Sequence, residues 1–312
     1  MKIKIFSTEF LEENKKKLRG LYGITTESKF YMALIPILWM LIFFVAPLLI
    51  IFKISFSDAI FHMPPYSELF SWAGEHLLQI KLNFHNYITA IKDSYYISAF
   101  INSLYLGAVS TIFCFILGFA MAYGICQVKE KTKSILLLFV SISFWTSFLV
   151  RIYAWMNLLS IHGILNTALI KFGIIETPIH FTGNYYSVCL GMVFCYLPFM
   201  IFPVYAVLEK LDKSCIEAAY DLGSHPAKAF WRITVPLSRH GILTGCVLVF
   251  ATSLGEFVIP ELLGGPDSIT FGRVLWTEFF TNLDWPMACA LSIIMMLFIV
   301  VPVFIFQKKA KI

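Results

Sequence analysis

The sequence predicts an all-α, polytopic membrane protein with six transmembrane helices. Three observations predict it. Hydrophobic residues make up 59% of the chain and charged residues only 14%, with a mean hydropathy of +0.78, whereas a soluble domain carries about 25% charge. Six mostly apolar runs recur at 30–56, 98–126, 134–159, 185–208, 241–263 and 285–306, each near or above the roughly 20 residues that cross a bilayer as a helix. Basic residues gather in alternate connections. Segments 1–29, 127–133, 209–240 and 308–312 hold 7, 3, 5 and 3 Lys and Arg, 18 together, against 2, 1 and 1 at 57–97, 160–184 and 264–284. Positive charge stays inside, so both termini and the 209–240 loop are expected in the cytoplasm. The net charge of +5 is spread over these flanks and does not point to nucleic acid.

Taken in order, residues 1–29 are polar and of mixed charge. They read as a cytoplasmic tail or an interfacial helix and lack the short apolar core of a cleaved signal peptide. The run 30–56 is too long to be such a core and stays as the first span. The 57–97 connection, with Pro64, Pro65, Trp72 and three His, predicts a short surface helix. Run 98–126 holds no charged residue or proline, and run 285–306 no charged residue. Run 134–159 carries Arg151, run 185–208 carries Pro198 and Pro203, and run 241–263 is interrupted by Glu256 and Pro260. The prolines predict kinks that shape a pathway. The spans 30–307 form one transmembrane domain, with a short tail at 308–312.

The 209–240 loop is the most specific segment. Ser214 and Glu217 have capping-box spacing. Ala218 and Ala219 favour helix and leave a low surface for a close neighbour. Gly223 suits the left-handed position that ends a helix. Ser224 and Pro226 can start a second helix, which Pro236 closes before the fifth span. The loop thus predicts two short helices joined by a sharp turn. Its pattern, Glu217-Ala218-Ala219, then Gly223, then Ile233 and Pro236, resembles the cytoplasmic loop of ATP-binding-cassette importer permeases, with Val235 where that family usually has Leu. The resemblance implies a type I (MetI-like) permease fold and a loop whose Glu217, Ala218, Ala219, Gly223, Ile233 and Pro236 couple to an ATPase subunit.

Further stretches resemble the polyamine (spermidine/putrescine) importer permeases: 144–155, with Phe144, Trp145, Arg151 and Trp155; 197–212, with Leu197, Pro198, Pro203 and Glu209; and 254–269, with Glu256, Pro260 and Glu261. The last looks most like the putrescine-type subunit. The resemblance spans about residues 30–307. It implies a bacterial inner-membrane machine of five parts: this permease, a second homologous permease, two ATPases and an external substrate-binding protein. No cofactor is expected on this chain. It has no phosphate-binding loop of the form G-x-x-x-x-G-K-[ST], so ATP and Mg would be used by the partner ATPase.

Charges inside spans are costly and mark functional candidates. Glu256 and Glu261, with Trp145, Tyr153 and Trp276, form a candidate path for a polyamine through ion pairing and cation–π contact. The structural alternatives are a Glu256–Arg151 ion pair and a Glu261 that faces outward or meets the binding protein. Arg151 would repel a polycation and is a candidate for the ion pair. The seven Cys lie mostly in apolar runs without a C-x-x-C pair, and the seven His show no H-E-x-x-H or i, i+4 pair. No disulfide framework or metal site is expected. Competing classes are a permease of the same family for another small solute, an ion-gradient-driven secondary transporter, and an intramembrane enzyme. The secondary transporter would not need the docking loop. The enzyme would need a clustered constellation that the sequence lacks.

Overall fold

A computed structural model of the chain describes residues 34–310, apart from 61, 68–69, 73–77, 81, 213 and 267. The expected tail at 1–29 lies outside the described residues. Nearly everything described is helical. The helices are α1 (Leu34–Ile54), α2 (His85–Lys92), α3 (Ser94–Gln127), α4 (Glu130–Trp145), α5 (Phe148–Leu159), α6 (Ile164–Lys171), α7 (Tyr185–Leu208), α8 (Ser214–Asp221), α9 (Pro226–Leu237), α10 (Arg239–Leu254), α11 (Val258–Leu263), α12 (Phe271–Trp276) and α13 (Trp285–Ala310). π-helical turns lie within α1 and α9, and another follows α12 at Thr277–Thr281.

Five stretches are long and apolar enough to cross a membrane: α1, α3, Phe148–Lys171, α7 and Trp285–Phe304. The bent pair of α9 and α10 makes a sixth. At about 1.5 Å per residue, the 34-residue α3 is some 51 Å long, well beyond a roughly 30 Å hydrocarbon layer. Its start is fixed by Asp93, whose side chain accepts from the Tyr95 N–H at 2.9 Å. α7 starts on a capping box between Asn184 and Ser187 and runs through Pro198 and Pro203 to Leu208. These are the bounds the sequence predicts.

α3, α7 and α10 pack against one another as the core of the bundle. Leu106, Met192, Met200, Val204 and Val249 are buried between them. Approach is close because glycine lines the contacts: a Cβ on Gly118 of α3 would lie 2.6 Å from Met200 Cγ on α7. A second apolar cluster joins α3, α12 and α13 through Ala99, Phe271, Val274 and Leu291. α1 packs on α13 and leaves most of its apolar side chains exposed, as a helix facing lipid does.

The structure adds to and corrects the expected elements. The predicted span 134–159 is two helices, α4 and α5, separated at Thr146, in extended conformation, and Ser147. The 160–184 connection contains α6. The 57–97 connection holds the expected surface helix, α2, but also an antiparallel hairpin of β1 (Phe70–Trp72) and β2 (Leu78–Ile80), paired Phe70 to Ile80, Ser71 to Gln79 and Trp72 to Leu78. The fifth span breaks where Glu256 stands, between α10 and α11.

Candidate functional site: the docking segment and the broken spans

The 209–240 loop folds as two short helices around one tight turn. α8 is closed by a Schellman motif: the Ser224 N–H donates to the Ala219 carbonyl and the Gly223 N–H to the Tyr220 carbonyl, both at 2.9 Å. Gly223 takes φ +77° with open space around it, so backbone conformation alone demands glycine there. The caps differ from expectation. Asp212, not Ser214, caps α8: the Ser214 N–H donates to Asp212 Oδ1 at 3.0 Å. That bond, with a second from the Ser214 hydroxyl, holds the Asp212 carboxyl below its ordinary range. His225, not Ser224, caps α9, its Nδ1 accepting from the Ala227 N–H at 3.3 Å. Pro226 occupies the first turn as expected. Pro236 sits in the last turn of α9, beyond which the chain bends by 65° into α10.

Burial divides this segment into two faces. Ala219 and Ala229 are buried, while Glu217, Ala218, Gly223 and Pro236 are exposed and Ile233 is half-buried. Leu222, 88% exposed, and Trp231 and Tyr220 stand outward beside them. Sequence reasoning missed these three, whose signal is apolar bulk in a polar loop. Phe230 anchors the segment inward, edge-on to Tyr123 at 5.2 Å and Phe119 at 5.7 Å, both on α3. A cavity of about 220 Å³ lies between α8 and the ends of α3 and α7.

Within the spans, Glu256 is 9% exposed and fully engaged. Its Oε1 accepts from the N–H groups of Val258 and Ile259 at 2.8 and 3.1 Å, capping α11, and its Oε2 accepts from the Tyr196 hydroxyl. The expected Glu256–Arg151 pair is not formed. Arg151 turns back to the end of α4, donating to Ser143 Oγ and the Thr146 carbonyl, both at 3.3 Å. Each charge answers backbone groups freed by its own break, which a dry interior otherwise leaves unpaired. Glu261 is likewise paired, with Arg273 Nε at 2.6 Å, a partner the sequence reading did not name. Trp276 stacks on Phe257 at 4.5 Å and 10°, one residue from Glu256. Trp145, 89% exposed, and Tyr153 stand on α4 and α5 away from this stack. α5, which carries Tyr153, packs against α11, which carries Glu261. Among the described residues, no group of three or more His, Cys, Asp or Glu has the geometry to hold a metal.

A family model described as binding-protein-dependent transport system inner membrane component matches residues 114–308, more than half of the chain. The spermidine/putrescine transport system permease protein PotB of Haemophilus influenzae is 33% identical over 273 residues, covering 88% of this chain and 91% of its own. This chain belongs to that transport family. PotB of Escherichia coli is 37% identical over 205 residues, covering 66% of this chain and 74% of its own. Among solved structures, a bacterial ABC transporter involved in import of the acidic polysaccharide alginate superposes with a TM-score of 0.66 at 18% identity, over 96% of this chain and 98% of that one. The permease therefore has the type I ABC importer fold. As a permease subunit it is a multi-pass transport component, not an enzyme.

The matched region contains the docking segment, both span breaks and two buried charges that sequence reasoning missed in the permease. Glu278 accepts from the Tyr96 hydroxyl at 3.0 Å and Asn282 Nδ2 at 2.9 Å. Its signal is a lone carboxylate in the aromatic stretch 276–280. Lys133, 6% exposed, pairs with Glu209 at 2.7 Å and Glu130 at 3.0 Å. It sits in a run of lysines at 129–133 that gives no cue to which one is buried.

Proposed function

We propose that this permease is a membrane subunit of an ATP-driven importer that takes up a polyamine, putrescine by preference, across a bacterial inner membrane. The docking segment carries the reading: a rigid helix–turn–helix, anchored inward by Phe230 and presenting Glu217, Ala218, Gly223, Leu222 and Trp231 outward. Such a face suits a soluble partner that moves. The relatives' names supply the amines, and stretch 254–269 supplies the putrescine preference. In this reading both termini and the docking segment are cytoplasmic, in line with the 18-to-4 bias of Lys and Arg.

The remaining parts follow. A second homologous permease completes the pathway, two ATPases bind ATP and Mg beneath it, and an external protein delivers the amine. This chain binds no cofactor. ATP binding draws the ATPases together, the segment around Glu217, Ala218, Ala219, Gly223, Ile233 and Pro236 follows, and the spans open outward. Hydrolysis resets them. Glu256 and Arg151 hold the breaks that shape the pathway, while Tyr153, Trp145 and Trp276 offer ring faces to an ammonium group, and Glu261 with Arg273 borders its outer end.

Uptake of labelled putrescine in cells lacking this chain tests the reading. Wild-type permease restores uptake, expressed Gly223→Asp does not, and excess spermidine competes weakly. Failure of wild-type permease to restore uptake overturns the substrate. Equal competition by spermidine overturns only the preference.

A further inference from the structure

We propose that Lys133 is a transmission residue: its ion pair with Glu209 carries movement of the docking segment into α4. The inference rests on the docking role proposed above. Lys133 lies in the first turn of α4, and Glu209 is the residue directly after α7. Their 2.7 Å contact joins residues 76 apart in sequence. Only two residues separate Glu209 from Asp212, which caps α8. The pair therefore stands at the root of the docking segment.

Its burial decides its weight. An exposed ion pair contributes little, because water and salt screen it and its long side chains lose freedom. The Lys133 side chain is 8% exposed and that of Glu209 37%. Losing Glu209 leaves the ammonium with Glu130 alone, a partner on its own helix, so what is lost is the link between the start of α4 and the end of α7. Glu130, three residues earlier on the same helix and well exposed, turns with Lys133 and adds no link between segments. The contact with Glu209 thus behaves as a tether rather than a surface ornament.

The segment is joined to the spans by the chain itself, to α7 at Glu209 and to α10 beyond Pro236, and a cavity of about 220 Å³ lies between α8 and the ends of α3 and α7. Two side-chain contacts carry its motion to other helices. Phe230 passes motion from α9 to Phe119 and Tyr123 on α3. The turn 209–212 passes it through Lys133 to α4. α4 ends at the break held by Arg151, α5 follows, and α5 packs against α11, whose start is held by Glu256. The Lys133 tether thereby connects the docking segment to both span breaks.

The test uses the permease assembled with its native partner subunits and binding protein in proteoliposomes, with ATP hydrolysis and putrescine uptake measured on one preparation. Lys133→Met is expected to assemble with the ATPase, to lower uptake at least tenfold, and to lower binding-protein-stimulated hydrolysis less than twofold. The reversed pair, Lys133→Glu with Glu209→Lys, is expected to recover uptake to within threefold of wild type. Wild-type uptake by assembled Lys133→Met overturns the proposal. So does equal loss of uptake and hydrolysis in Lys133→Met without recovery in the reversed pair, which marks a purely structural role. Gly223→Asp runs in parallel: wild-type uptake by that variant overturns the docking reading itself, whereas its failure beside an active Lys133→Met overturns only the tether.

Discussion

Gly223 isolates one physical quantity, the cost of a left-handed backbone, because a Cβ added there meets nothing within 4 Å. Gly223→Ala introduces no clash and removes no contact. What it adds is the penalty of an L-residue at φ +77°, about 1–2 kcal/mol. Asn tolerates this region much better than Ala, so Gly223→Asn should cost clearly less. At about 1.4 kcal/mol per tenfold, Ala lowers the population of the closed turn by roughly five- to thirtyfold relative to its open forms. The bonds that report it are Ser224 to Ala219 and Gly223 to Tyr220. Amide hydrogen exchange at Ser224 and at residue 223 in the assembled transporter reads the local opening free energy directly. The expected order of protection is Gly, then Asn, then Ala, and putrescine uptake should follow it. Identical protection in all three proteins, or better protection in the Ala variant than in Asn, would refute the claim that backbone conformation selects glycine at this turn.

The other predictions concern packing and charge. Gly118→Val drives a branched side chain onto Met200, which is buried between α3, α7 and α10; overpacking of this kind costs about 1–3 kcal/mol. The detergent-solubilised protein should melt lower, and Met200→Ala in the same chain should recover part of the loss. Glu256→Gln keeps a carbonyl oxygen for the α11 N–H groups, its amide N–H donating instead to the Tyr196 oxygen, and is expected to hold uptake within threefold, whereas Glu256→Ala leaves these groups unsatisfied at about 1–3 kcal/mol per orphaned group and abolishes uptake. A folded Glu256→Gln protein without uptake would show instead that the charge itself meets substrate. Glu261→Gln breaks a half-exposed pair with Arg273, a class worth about 0–1 kcal/mol, so the melting midpoint should stay within experimental scatter.

What the sequence makes legible is what local rules and hydropathy decide. The bounds of α7 follow from an apolar run between Asn184 and Glu209, and the turn at Gly223 follows from a glycine after an alanine-rich helix. What it hides is competition between equivalent groups. Ser214 and Asp212 both suit a helix start, and the shape of the turn after Leu211 decides for Asp212. Lys129, Lys131 and Lys133 look alike until helix α4 faces Lys133 toward Glu209, directly after α7. The break in the third span is hidden for another reason. Residues 134–159 are mostly apolar, Arg151 reads as a charge seeking a carboxylate, and only Thr146 and Ser147, ordinary residues in a membrane helix, mark where the span opens.

The two charges inside the spans argue for a general reading of such residues. A helix that breaks within a bilayer exposes backbone N–H groups at one new end and carbonyls at the other, with no water to satisfy them. The partial charge at a helix N-terminus is positive and at a C-terminus negative. A carboxylate therefore belongs at the start of the piece after a break and a guanidinium at the end of the piece before one. Glu256 caps the start of α11, and Arg151 covers the Thr146 carbonyl at the end of α4. The sequence reading paired these two with each other because opposite charges in adjacent spans attract. The folded chain assigns each to its own break, where a backbone dipole offers the same compensation at hydrogen-bonding distance and without bringing two helices into contact. Neither charge then forms an ion pair between α5 and α10, and the two broken spans meet through the packing of α5 on α11 instead.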